Sequence, residues 1–218
     1  MKRGADETLR QPFGRYDMKR IIALLLLIAV GFTAAACGAE GASLSPAERY
    51  ALKVCSADEA LEWAKDTDTV VFEDGALTSG GAVWDGFYAA VEKGEAASVL
   101  VAKYYTLDED RVSSELYASE KDNYPVLYFS LVEFDGGKYS FTVRDSSETK
   151  TDHEGSFKYM LHFSGDAPST ASYDSYDAYA LVDDPDATWD GIWEGVVSSQ
   201  SDAGYEHYFA YCNYIGRR

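Results

Sequence analysis

The stretch PVLYFSLVEFDGGKYSFTVRD, Pro125–Asp145, carries the clearest structural statement in the chain. Two runs rich in Val, Leu, Phe and Tyr, Pro125–Phe134 and Lys138–Asp145, flank Asp135-Gly136-Gly137. Aromatic and β-branched residues suit a pleated, half-buried surface, and glycine supplies the positive φ that a tight reversal needs. The stretch predicts an antiparallel hairpin. Working outward, Ser98–Thr106 is apolar on both faces, as in a central strand. Thr69-Val70-Val71-Phe72 reads as a first strand ended by Asp74-Gly75. Phe157, Tyr159, Leu161 and Phe163 alternate with Lys158 and His162, the pattern of another half-buried strand. Tyr176–Val182 and a long terminal run, Tyr205–Ile215, complete the set.

Helix signals lie between these strands. Ser45-Pro46-Ala47-Glu48 and Ser56-Ala57-Asp58-Glu59 both place Glu three residues after a capping Ser, which predicts short helices over 46–54 and 57–65. Gly80-Gly81 opens a helix with Trp84, Phe87, Tyr88 and Val91 on one stripe, stopped by Gly94. Asp184-Pro185-Asp186 reads as the cap of another, with Trp189, Ile192, Trp193 and Val196 in the same spacing. Trp84-Asp85-Gly86 and Trp189-Asp190-Gly191 are identical tripeptides. They suggest two related β-α-β units, or else two ordinary amphipathic helices that each pack a buried Trp anchor on a sheet. The expected fold is α+β, a largely antiparallel sheet with helices on one side.

The N-terminal region carries an address. Met18-Lys19-Arg20 precedes the uninterrupted apolar run Ile21–Phe32 and then Thr33-Ala34-Ala35-Ala36-Cys37. A basic start, a short apolar core and small residues make a secretory signal peptide. An uncleaved anchor is the alternative, although a bilayer span needs roughly 20 apolar residues. The cysteine after the small residues resembles the lipobox of bacterial lipoproteins, which implies a diacylglyceryl group on Cys37 as the new N-terminus. In that reading residues 1–17 are an upstream extension, 18–36 the signal, 37–44 a flexible tether and 45–218 one domain. The protein would then be extracytoplasmic, held to the cell membrane by the lipid on Cys37. Two further cysteines, Cys55 and Cys212, suggest a disulfide outside the cytoplasm. Two unconnected, buried thiols remain the alternative.

Composition narrows the partners. The 218 residues include 19 Lys+Arg and 37 Asp+Glu, a formal charge of −18. Removing residues 1–36 makes the chain more acidic still. Nucleic acid is excluded as a partner, because phosphate must be met by clustered Lys and Arg. Anionic headgroups repel such a chain, so lipid rather than charge would attach it. A hydrophobic fraction of 46% excludes a disordered acidic tail.

No chemistry-bearing motif stands out. His153, His162 and His207 are the only histidines, and none has zinc-site spacing. His162 reads as a surface residue and His207 as a core one. The nucleophile elbow, the dinucleotide fingerprint and the phosphate loop are absent. Asp184, Asp186 and Asp190 fall at three ligand positions of a calcium loop, but Trp189 occupies its glycine position and Gly195 its final glutamate position. Helix capping explains them better. No catalytic, metal or cofactor residues are assigned. Tyr173, Tyr176 and Tyr179 recur every third residue and could line a groove, though strand composition accounts for them more simply.

Ser56–Asp110 resembles an uncharacterised family of lipoproteins from Gram-positive bacteria that contains a domain of unknown function. The carrying residues are Ala57-Asp58-Glu59-Ala60, Asp68-Thr69-Val70-Val71, Asp74-Gly75, Trp84–Phe87, Val91-Glu92-Lys93-Gly94 and Val99–Thr106. The resemblance implies surface attachment and brings no activity. The expectation is a lipid-anchored binding or accessory module at the bacterial cell surface, with a carbohydrate, peptide or protein ligand and no cofactor. The alternative is an extracytoplasmic hydrolase or wall-modifying enzyme using carboxylates or His207.

Overall fold

The computed structural model describes residues 45–52, 55–198 and 204–216. The chain divides into Met1–Ser43 and Leu44–Arg218, and every described residue belongs to the second unit. The upstream extension, the signal, the tether and Cys37 lie outside the described residues. Among the described residues no helix is long and apolar enough to cross a membrane.

Both capping boxes form as their spacing predicts. Helix α1, Pro46–Leu52, starts where Glu48 N donates to Ser45 Oγ at 3.3 Å and the Glu48 carboxylate accepts from Ser45 N at 2.8 Å. Helix α2, Ala57–Lys65, repeats this with Ser56 and Glu59. Its face of Ala60, Leu61 and Ala64 is buried, because small residues let the helix lie close on a sheet.

That sheet has six strands: β1 Val70–Glu73, β2 Ala76–Ser79, β3 Ala97–Tyr105, β4 Val126–Phe134, β5 Tyr139–Asp145 and β6 His153–Phe157. Their spatial order is β2-β1-β3-β4-β5-β6. Only β1 and β3 run parallel, since helix α3, Gly81–Glu92, carries the chain back between them. The hairpin read from Pro125–Asp145 is β4–β5, with Phe134 opposite Tyr139. Alternation in the central strands splits their side chains. Val71, Leu100, Ala102, Leu127 and Phe129 meet α2, while Val70, Phe72, Val99, Val101 and Val132 face the other way.

On that second face lies a three-stranded antiparallel sheet, β7 Tyr159–Asp166, β8 Ser175–Val182 and β9 His207–Ile215. Trp84, Phe87 and Val91 of α3 fill the space between the sheets together with Leu181, Ala210 and Tyr211. A short helix α4, Ser114–Glu120, lies in the β3–β4 connection. Helix α5, Trp189–Val197, covers the outer face of the smaller sheet through Ile192 against Ala180 and Val182. The fold is α+β as expected, but there are two sheets, and helices cover both outer faces rather than one side.

Three local expectations are corrected. The strand read as continuous through Phe157–Phe163 breaks at Lys158, whose N–H donates to Asp183 Oδ1 at 3.0 Å. Phe157 therefore pairs with Tyr139 in one sheet and Tyr159 with Val182 in the other. The two Trp-Asp-Gly helices do not build related units: α3 follows the edge strand β2 in the crossover between the parallel strands β1 and β3, whereas α5 alone joins β8 to its antiparallel neighbour β9. Trp84 is 2% exposed, but Trp189 is only half-buried, stacked on Tyr176 at 4.0 Å and 10°. Finally, Asp184 does not cap α5. Its carboxylate accepts from Asp186 N at 2.9 Å, and Thr188 caps the helix by accepting from Gly191 N at 3.2 Å.

Arg144 on β5 is 3% exposed and ties the helix layer to the large sheet. Its Nε and Nη2 donate to the Tyr50 carbonyl at 3.1 and 2.7 Å, and Nη1 donates to the Asp145 and Glu148 carbonyls at 3.1 and 3.0 Å. The guanidinium also lies 5.1 Å from the Tyr50 ring centre and 5.2 Å from that of Phe129. Tyr50 sits in the last turn of α1, where carbonyls lack partners within the helix. Burial pulls Arg144 below the ordinary arginine pKa.

Candidate functional site: an aromatic cleft between the sheets

A cavity of about 400 Å³ opens where the carboxyl ends of the parallel pair β1 and β3 meet β9. Strand β1 and its turn contribute Phe72, Asp74 and Gly75; β3 and the residue after it contribute Lys103, Tyr105 and Thr106. Tyr124 comes from just before β4, and Phe209, Cys212 and Tyr214 from β9. Five of these are aromatic, and Tyr105 and Tyr124 are among the exposed large side chains of the molecule.

The frame of the cleft is hydrogen-bonded. Asp74, at φ 50°, accepts from Thr106 N at 2.9 Å and from the Thr106 hydroxyl at 2.7 Å. Tyr214 N donates to the Gly75 carbonyl at 2.9 Å, and Leu77 N donates to Asn213 Oδ1 at 2.9 Å. These contacts close the edge strand β2 against β9. Gly75 has φ +86°, and a Cβ there would lie 2.6 Å from Tyr214 Cδ2, so only glycine lets the ring lie flat on the turn.

Lys103 is half-buried, its ammonium donating to the Phe209 carbonyl at 2.7 Å and lying 4.9 Å from the Tyr208 ring centre. Burial opposes its charge, yet Tyr208, Tyr105 and Cys212 outweigh that and leave it above the ordinary lysine pKa. Burial also pushes the Cys212 thiol up, which keeps it protonated near neutrality and a weak nucleophile. The Tyr214 hydroxyl is pushed up as well, chiefly by burial and then by Cys212.

On the far side of Tyr214 a second recess of about 250 Å³ is lined by Asp74, Ser172, Tyr173, Trp193 and Tyr214. Tyr173 stacks on Tyr214 with ring centres 4.4 Å apart. The shared residues make the two recesses neighbours along one aromatic groove.

The tyrosines spaced every third residue diverge. Tyr173 lines the groove, Tyr176 stacks on Trp189, and Tyr179 points inward to Trp84 at 5.1 Å. His207 lies outside the cleft, with Nδ1 2.8 Å from the Tyr205 carbonyl. His162 pairs with Asp177 at 2.6 Å and stacks on Tyr179. Among the described residues no group of three or more His, Cys, Asp and Glu could hold a metal ion. The expected Cys55–Cys212 bridge is not formed. Both residues are thiols: Cys55 packs in the helix-side core and Cys212 lines the cleft, with the six-stranded sheet between them.

Reading the sequence missed Lys103, Tyr105, Tyr124 and Tyr214 as site residues. Each belongs to an apolar strand or a connection whose neighbour in space is set by β9, far along the chain. The Asp74-Gly75 turn was the one local signal. No protein-family model, curated protein or solved structure matches the chain.

Proposed function

We propose that this chain is a lipid-anchored extracytoplasmic binding or accessory module of the lipoprotein family that Ser56–Asp110 resembles, and that the aromatic cleft is its ligand site. The observation that carries the binding reading is the cleft itself: about 400 Å³, lined by five aromatic residues of which Tyr105 and Tyr124 are exposed, with a few polar groups to fix orientation. Aromatic rings offer large contact area at low entropy cost and stack on the apolar faces of sugars or on peptide side chains. The support for attachment is the Ala34-Ala35-Ala36-Cys37 segment.

Attachment is tested on the full protein extracted from membranes. Intact mass should correspond to a chain beginning at Cys37 with a diacylglyceryl group; a mature chain that retains Met18 overturns it. Binding is tested by thermal shift and NMR against a panel of oligosaccharides and short peptides. Tyr124→Ala and Tyr105→Ala should weaken any response about tenfold or more, as stacked aromatic contacts do, while Trp189→Ala leaves it unchanged. A response insensitive to the cleft substitutions overturns the site, and cleavage of any probe turns the reading to the hydrolase.

A further inference from the structure

Lys103 is the cation of the cleft, and its surroundings are unusual for so acidic a protein. Among the described residues Arg49–Asp68, Lys65–Glu73 and Arg111–Asp108 are ion pairs, and His162 is hydrogen-bonded to Asp177. Lys103 takes part in none of them. An ammonium carries three donors, and the Phe209 carbonyl accepts one. Withdrawing a charge from water without an opposite charge nearby is costly, and a chain with 37 acidic residues has ample means to supply one. None lies within ion-pair range of Lys103 among the described residues. The acidic side chain that lines the cleft, Asp74, has both oxygens engaged by Thr106.

Resting on the cleft as the ligand site, we infer that its ligand is a hydroxylated ring bearing one carboxylate, with the carboxylate paired to Lys103 and the ring stacked on the aromatic walls. A single ammonium suits a monoanion. A phosphate dianion is usually met by several donors, an arginine fork or a nest of backbone N–H groups, and Lys103 is, among the described residues, the one cation that lines the cleft. The exposed rings of Tyr105 and Tyr124 suit the C–H face of a ring. The neighbouring recess of about 250 Å³ across Tyr214 leaves room for a second ring, so an acidic oligosaccharide containing uronic acid fits the groove.

The experiment titrates the full chain with glucuronate, its neutral methyl ester, glucose and glucose 6-phosphate, for the wild type and Lys103→Met. Methionine keeps the stem over Tyr208 and removes the charge. Glucuronate should bind about ten- to hundredfold tighter than its ester, the usual worth of a charge-assisted hydrogen bond. In Lys103→Met the acid and the ester should converge. The unfolding midpoint of the variant should match or exceed that of the wild type, so that lost affinity is not lost folding. Should it fall instead, Lys103→Gln is titrated in its place. Equal affinity for acid and ester in the wild type, a preference that survives in the variant, or tighter binding of glucose 6-phosphate would each overturn the inference. Silence from all four probes also overturns it, while a peptide response that still depends on Tyr124 would leave the cleft standing as a site.

Discussion

Trp84→Ala lowers the unfolding free energy by about 3–5 kcal/mol, the cost of a lost transfer term and a residual cavity. Its indole is 2% exposed, and its ring centre lies 5.4 Å from Phe87, 5.1 Å from Tyr179 and 4.8 Å from Tyr211. Those three residues belong to α3, β8 and β9, so the indole is the common neighbour of the helix and the small sheet. Trp189→Ala, at the matched place in the sequence, should cost clearly less, because its half-buried ring stacks on Tyr176 and Trp193 near solvent. Urea unfolding of both variants checks the contrast. Equal losses would show that the two tryptophans are equivalent anchors after all.

Arg144→Ala should destabilise by about 3 kcal/mol or more, since the carbonyls of Tyr50, Asp145 and Glu148 lose a charged donor in a buried setting. Arg144→Lys should recover less than half, because one point charge cannot reproduce a planar fork that serves three acceptors. Hydrogen exchange should quicken locally in α1 and around 146–151 before it does so in the sheet. A loss under about 1 kcal/mol would mean that water replaces the guanidinium at little cost.

These variants mark where sequence reading succeeds and where it stops. Ser56 and Glu59, the Asp135-Gly136-Gly137 reversal and the two-faced apolar run of β3 are local signals, and each forms as read. The break at Lys158 is different. Its cause is a hydrogen bond to Asp183, just past β8, and nothing in the alternation of Phe157, Tyr159, Leu161 and Phe163 announces a change of sheet. Trp84 and Trp189 share a tripeptide and differ in burial, because burial depends on what lies opposite. Asp184-Pro185-Asp186 has the composition of a helix cap, yet it closes a turn of its own and leaves Thr188 to begin the helix. The cleft was least legible, since its walls combine Phe72 and Lys103 with Phe209 and Tyr214, residues joined only by the packing of the finished fold.

The closure of β2 against β9 also has a kinetic side. The Leu77–Asn213 hydrogen bond spans 136 positions, and contacts of such long range form late, because loop-closure entropy must be overcome before they contribute. A nascent chain that stops short of Phe209 holds the β1 and β3 walls of the groove and lacks the β9 wall altogether. Ligand capture at the proposed site would thus await the last strand, and a C-terminally clipped molecule would lose, along with that wall, the buried Ala210 and Tyr211 of the core between the sheets.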